Sequence, residues 1–194
     1  MKKIAVLLAA LIALCTCACT MVVPGGQNTD LFGDMSTKTP FFTEEPTPAP
    51  TAVNENLVYF DTTDINGSRI ALDQFAGSKV IMINFFETWC PPCMGELPDL
   101  ETLYERYKGE GLVILGVYSS SDTQSVRSSV ESIGITYPVF PVTESLVKLQ
   151  TEYVPTTVFI NSAGELLSDE PSIGSRDLSG WESVILPLLR GSGS

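Results

Sequence analysis

The most constraining feature of the sequence is a pair of cysteines placed between an apolar strand and a helix. Residues 80–86 read VIMINFF, a nearly continuous apolar run that favours a strand covered on both faces. Cys90 and Cys93 follow, and residues 91–108 then place Met, Leu and Tyr side chains at helical spacing. This order predicts an α/β arrangement with both thiols at the junction of strand and helix.

Residues 57–190 are predicted to form one α/β domain, because strand-like and helix-like segments alternate along them. A Pro- and Thr-rich flexible linker is expected over residues 19–56, and a disordered tail over residues 191–194. We predict strands or short extended segments at Val58–Thr62, Arg69–Leu72, Val80–Phe86, Leu112–Val117, Thr136–Phe140, Thr157–Asn161 and Gly164–Leu167. We predict helices at Pro91–Lys108, Thr123–Ser132, Ser145–Tyr153 and Trp181–Leu189.

The residue types available exclude several kinds of active site. The chain has five cysteines and no histidine, and only Cys90 and Cys93 lie after residue 19. Structural zinc sites take four ligands, mostly Cys and His, and Ser-His or Cys-His catalysis requires an imidazole. We therefore expect neither a metal nor a cofactor. A purely structural disulfide is the alternative, but a bond that closes so short a loop restrains the unfolded chain little.

Cys90 is the expected nucleophile, because it is placed to cap the predicted helix with Pro91 and Pro92 in the first turn. A helix N-terminus favours negative charge and so lowers the pKa of a thiol there. Cys93, one turn later, is expected to be more enclosed and to resolve the mixed disulfide. Trp89 is expected to flank the pair as a partly exposed aromatic side chain, with a core position as the alternative.

The segment FETWCPPC at residues 86–93 resembles the active-site segment of the thioredoxin-like superfamily. Residues 64–67 (DING), 96–98 (ELP) and 154–157 (VPTT) resemble the membrane-tethered TlpA/ResA-type branch, which borders on the peroxiredoxin-like AhpC/TSA domains. Over residues 57–190 the resemblance implies a thioredoxin-like fold. This fold has a central mixed sheet flanked by helices, an N-terminal β-hairpin extension and an inserted helix and strand unit.

The resemblance also implies roles for individual residues. Cys90 and Cys93 would form a redox-active disulfide. Pro155 matches the cis-proline that faces the cysteine pair, and Val154 would present its backbone to a substrate strand; an ordinary trans proline is the alternative. Glu96 matches an acidic residue that tunes the thiols, with a solvated helix face as the alternative.

Two positions depart from the pattern of related proteins. Asn84 stands where cytoplasmic thioredoxins have a buried aspartate, so that proton relay is absent here. Glu87 replaces a residue that is small in the branch, and the sequence assigns it no role.

The first 18 residues predict a signal peptide, because two lysines precede an apolar run, Ile4–Leu14, that is too short to span a bilayer comfortably. The cysteines that follow resemble a bacterial lipoprotein signal. Cys19 is the predicted lipidation site and Cys17 the alternative, since neither fits that pattern completely. An unlipidated signal peptide or an uncleaved anchor is the other interpretation.

These features predict an extracytoplasmic thiol-disulfide oxidoreductase, anchored to the bacterial cell membrane by an N-terminal lipid. We expect it to reduce protein disulfides, for example in cytochrome c maturation or oxidative-damage repair. The expected partners are protein disulfide substrates and a membrane electron donor of the thiol-disulfide relay type. We expect a monomer, and a net charge of −12 disfavours nucleic acid.

The sequence is compatible with two other functions. The first is a thiol-dependent peroxidase of the peroxiredoxin kind. It is disfavoured because that family places Thr three residues before a single reactive Cys, whereas Thr88 lies two residues before Cys90. The second is a non-catalytic thioredoxin-fold binding lipoprotein, which would not require both cysteines.

Overall fold

The computed structural model describes residues 57–191. The predicted signal peptide, the lipidation candidates Cys17 and Cys19, the linker and residues 192–194 lie outside the described residues. The strands are β1 (Asp61–Thr63), β2 (Arg69–Ala71), β3 (Val80–Phe85), β4 (Leu112–Tyr118), β5 (Val139–Pro141), β6 (Thr156–Ile160) and β7 (Ser172–Ile173). The helices are α1 (Pro91–Tyr107), α2 (Thr123–Ile133), α3 (Glu144–Val147) and α4 (Leu178–Leu189), with short 3-10 turns at Leu72–Phe75 and Lys108–Glu110.

Five strands form a central mixed sheet in the order β5-β4-β3-β6-β7. β3 and β4 are parallel, as are β4 and β5, whereas β6 runs antiparallel to both β3 and β7. β1 and β2 form a separate antiparallel hairpin. The predicted class, a central mixed sheet with flanking helices and an N-terminal hairpin, is confirmed.

The two faces of the sheet bury separate hydrophobic clusters. Successive side chains of a strand point to opposite faces, so Met82 joins one cluster while Ile81 and Ile83 join the other. The cluster of Met82 includes the buried side chains of α1, α2 and α4, and the other cluster includes the hairpin and α3. β3 is therefore covered on both faces, as its apolar sequence predicts. Within residues 57–191 no helix is long and apolar enough to cross a bilayer.

The predicted helix Ser145–Tyr153 is wrong in extent, because α3 contains only Glu144–Val147. The chain leaves the helix where side chains bind elsewhere. The Gln150 amide donates a hydrogen bond to the Ser119 hydroxyl at 2.9 Å, and the Thr151 hydroxyl bonds to the loop that precedes β6. Such side-chain bonds compete with helical ones.

The predicted strand Gly164–Leu167 forms only in part: Leu166 makes a single bridge to Ile160, and the Leu167 N–H donates to the Phe159 carbonyl oxygen at 2.8 Å. The start of β6 pairs instead with β7, further along the chain. Between the two segments lies Pro171, which has no N–H to donate to a ladder and interrupts the extended chain.

Candidate active site

The turn that carries the first cysteine is closed by main-chain hydrogen bonds. β3 ends at Phe85, and the Cys90 N–H donates to the Glu87 carbonyl oxygen at 3.1 Å. Cys90 is the N-cap of α1, with Pro91 and Pro92 in its first turn. The missing N–H of a proline costs nothing there, because the first N–H groups of a helix have no helical acceptor.

Cys90 and Cys93 are joined in a disulfide at the start of α1. The Cys93 N–H donates to the Cys90 sulfur at 3.2 Å. Cys90 keeps 4% of its surface exposed and Cys93 none, so the second sulfur is the more enclosed, as expected. Trp89 is 72% exposed, which removes the core alternative for this side chain.

A second loop faces the cysteine pair. The Val154-Pro155 peptide bond is cis, and the Val154 carbonyl oxygen lies 3.5 Å from the Cys90 sulfur. The Thr156 hydroxyl donates to the Tyr153 carbonyl oxygen at 2.6 Å, and the Tyr153 N–H donates to the Thr151 hydroxyl at 3.1 Å. These bonds hold the loop on both sides of Val154.

Glu96 lies beneath the cysteine turn and is only 2% exposed, so the alternative of a solvated helix face is wrong. Its carboxylate accepts hydrogen bonds from the Asn84 amide at 3.0 Å and from the Arg176 N–H at 3.2 Å. Asn84 donates its second amide hydrogen to the Thr157 hydroxyl at 3.0 Å. Burial raises the pKa of Glu96 to about 7, although both hydrogen bonds oppose this shift.

Comparison with known proteins assigns the family. Residues 53–167 match the AhpC/TSA family model, which is more than half of the chain. The chain belongs to the AhpC/TSA family. This membership confirms the resemblance to the thioredoxin-like superfamily and to its AhpC/TSA neighbourhood.

Curated relatives of this AhpC/TSA protein are named for one redox activity. The thiol-disulfide oxidoreductase ResA of Halalkalibacterium halodurans is 33% identical over 117 residues, which cover 58% of this chain and 65% of that protein. The match thus spans less than two thirds of that relative. ResA of Geobacillus kaustophilus is 34% identical over 132 residues, which cover 66% of this chain and 72% of that protein.

Solved structures establish the fold independently. A thiol:disulfide interchange protein of the thioredoxin family from Chlorobium tepidum TLS superposes with a TM-score of 0.62 at 23% identity, over 69% of this chain and 95% of that one. StoA from Bacillus subtilis superposes with a TM-score of 0.54 at 21% identity, over 64% of this chain and 94% of that one. At these identities the likeness concerns the fold alone, and it confirms the predicted thioredoxin-like fold.

The AhpC/TSA domain has an open groove of about 280 Å³ beside Glu96, between the starts of α1 and α4. Pro92 and Asp99 line it on one side and Arg176 and Asp177 on the other. The groove brings solvent close to the otherwise buried carboxylate.

Sequence reasoning missed several residues that the fold brings to this site. Arg176 carries the N–H that binds Glu96 from 80 residues away, and no local pattern joins the two positions. Thr157 belongs to the VPTT segment, but its contact with Asn84 depends on the pairing of β6 with β3. Thr151 carries no signal in the sequence.

Proposed function

We propose that this protein is an extracytoplasmic thiol-disulfide oxidoreductase that reduces disulfides of other proteins through Cys90 and Cys93. The observation that carries the proposal is the position of the Cys90 sulfur. It caps α1, accepts the Cys93 N–H at 3.2 Å and lies 3.5 Å from the Val154 carbonyl oxygen. A sulfur in this position is favoured as a thiolate and adjoins a main-chain group that an extended substrate can bind.

The first step is attack by the Cys90 thiolate of the reduced protein on one sulfur of a substrate disulfide. The Cys90-to-substrate S–S bond forms as the substrate S–S bond breaks, and the second substrate sulfur leaves as a thiolate that takes up a proton. During this step the Val154 backbone holds the substrate segment against the cysteine turn.

The second step is resolution by Cys93. Its thiol loses a proton, and the thiolate attacks the Cys90 sulfur, which re-forms the Cys90–Cys93 disulfide and releases the first substrate sulfur as a thiolate. Two electrons have then passed to the substrate. Glu96 is the proposed acceptor of the Cys93 proton, because a carboxyl group with a pKa of about 7 exchanges protons readily at neutral pH.

The surroundings of the thiols favour reduction over oxidation. Strong stabilisation of the Cys90 thiolate would make the reduced form stable and the protein an oxidant. Pro91 and Pro92 have no N–H groups to donate to that thiolate, and an ionised Glu96 opposes negative charge nearby. We therefore expect a reduction potential nearer about −270 mV than the strongly oxidising value of about −120 mV.

The setting proposed for this activity is the outer side of a bacterial cell membrane. The support is the signal-like segment of residues 1–18, with lipidation at Cys19 or Cys17. A reductant there must be recharged, and a membrane protein that passes electrons through thiols is the proposed donor. Apocytochrome c awaiting haem and oxidatively damaged exported proteins are the proposed substrates.

Insulin reduction and redox titration test the proposal together. Wild-type protein should accelerate insulin reduction, Cys90→Ser should abolish the acceleration, and Cys93→Ser should accumulate a mixed disulfide that gel electrophoresis detects. Equilibration with dithiothreitol buffers measures the potential. Unchanged turnover by Cys90→Ser would remove the proposed nucleophile, and a potential near −120 mV would reverse the direction. Turnover of hydrogen peroxide but not of insulin would favour the peroxidase.

A further inference from the structure

Glu87 is a buried carboxylate that the thiol chemistry above does not use. Only 5% of the residue is exposed, and its side chain accepts the Ser119 N–H at 2.7 Å. The other carboxylate oxygen has no hydrogen-bond partner within residues 57–191. Burying a carboxylate with one oxygen unpaired costs free energy, and a small side chain at this position would avoid that cost.

From Ser119, a series of further contacts reaches the Val154 loop, which faces the cysteine pair. The Gln150 amide donates to the Ser119 hydroxyl at 2.9 Å. Thr151 follows Gln150 in the chain, and its hydroxyl oxygen lies 2.8 Å from that of Thr156. We call this series the Glu87 belt; it comprises Glu87, Ser119, Gln150, Thr151 and Thr156.

The two ends of the Glu87 belt lie in the two loops that face each other at the disulfide, the cysteine turn and the Val154 loop. At one end, the Glu87 carbonyl oxygen accepts the Cys90 N–H at 3.1 Å and closes the turn that presents the nucleophile. At the other end, the Thr156 hydroxyl binds the Tyr153 carbonyl oxygen, one residue before Val154. The belt therefore joins the two loops whose separation decides where a docked substrate meets the Cys90 sulfur.

We propose that Glu87 is a positioning residue that holds the Val154 loop in register with the Cys90 turn, so that a polypeptide bound to one is aligned with the other. The proposal rests on the proposed function and adds a residue to it. A polypeptide disulfide contacts both loops and depends on their register. A small disulfide reagent contacts only the Cys90 sulfur and does not.

Glu87→Ala and Glu87→Gln separate positioning from charge. Alanine removes the acceptor of the Ser119 N–H, whereas glutamine keeps an acceptor oxygen and removes the negative charge. For Glu87→Ala we expect kcat/KM for insulin to fall about tenfold, mainly through KM, as for the loss of one hydrogen bond to a charged group. The rate of the reduced protein with dithiobis(nitrobenzoate) and the reduction potential should not change. Glu87→Gln should stay within about twofold of wild type in every assay.

Glu101→Ala is the matched control. Glu101 also accepts a main-chain N–H, that of Thr136 at 2.8 Å, but it has no contact with the Glu87 belt among the described hydrogen bonds. This variant should leave the KM for insulin unchanged, which distinguishes loss of register from general loosening.

Thr151→Val interrupts the Glu87 belt without touching the carboxylate, and it keeps the proposal testable if Glu87→Ala folds poorly. Alone it should raise the KM for insulin, and combined with Glu87→Ala it should add little, because both changes break one series of contacts. Additive costs would overturn the proposal. The proposal would also be overturned if Glu87→Gln and Glu87→Ala shifted the reduction potential equally, because the lost charge would then explain the effect of both variants. If wild type did not reduce insulin, the proposed function itself would fail.

Discussion

Replacing Glu96 by glutamine should change how the stability of the oxidised protein depends on pH. In the folded protein burial raises the pKa of this carboxyl from about 4.5 to about 7. The fold therefore favours the protonated form. Stability that is present below pH 4.5 is lost as the pH rises from 4.5 through 7, because over this range the carboxyl of the unfolded chain ionises while that of the folded protein keeps its proton. A glutamine side chain stays neutral at every pH, so the variant does not lose this stability as the pH rises.

The size of the effect follows from the shift in pKa. A shift of one unit corresponds to about 1.4 kcal/mol, so the rise from about 4.5 to about 7 gives roughly 3 kcal/mol. Glu96 is only 2% exposed, but solvent in the groove beside it screens the charge in part, so this value is an upper limit. Relative to wild type, Glu96→Gln should gain up to about 3 kcal/mol between pH 4 and pH 9, with most of the gain between 4.5 and 7.

Urea unfolding of the disulfide form at a series of pH values measures this difference. The free energy of unfolding of a small protein falls by about 1–3 kcal/mol per molar urea. The urea concentration at the unfolding midpoint of Glu96→Gln should therefore move by about 1–3 M relative to wild type. Asp99→Asn removes a carboxylate from the same helix at the groove and controls for the change in net charge. A difference between Glu96→Gln and wild type that stays flat from pH 4 to pH 9 would refute the reasoning.

Three further substitutions test buried contacts of the domain by their effect on unfolding. Thr157→Val leaves an amide hydrogen of buried Asn84 unpaired and should cost about 1–3 kcal/mol, whereas Thr157→Ser should recover most of that loss in urea unfolding. Trp181→Ala removes a fully buried side chain and should cost about 3–5 kcal/mol in the same assay. Gly164→Ala should lower the thermal midpoint, because φ is +85° and a Cβ would collide with a main-chain carbonyl oxygen; Gly109→Ala, with nothing within 4 Å, should not.

Local sequence signals predicted the elements that carry the thiols. The apolar run of β3 and the helical spacing in α1 predict the strand and the helix directly, because each depends on residues close in the chain. The Cys-Pro-Pro-Cys segment between them predicts the cap, since proline is suited to the first turn of a helix.

Sequence signals failed where distant segments decide the local structure. α3 ends early because Gln150 bonds to Ser119, 31 residues away. The start of β6 pairs with β7, whereas residues 164–167, the segment nearest in sequence, meet only the end of β6. In both cases a tertiary contact outweighs a local preference.

The sequence by itself determined that two thiols stand at the start of a helix after a buried strand, without histidine or a third thiol nearby in the chain. Only the tertiary structure decided how the two carboxylates, Glu96 and Glu87, are buried and hydrogen-bonded. Glu96 is buried against Asn84 and the Arg176 backbone, and Glu87 binds the end of β4 through Ser119. The physical reason is that desolvation and hydrogen bonding depend on which distant segments the fold brings together, and neither is encoded by spacing along the chain.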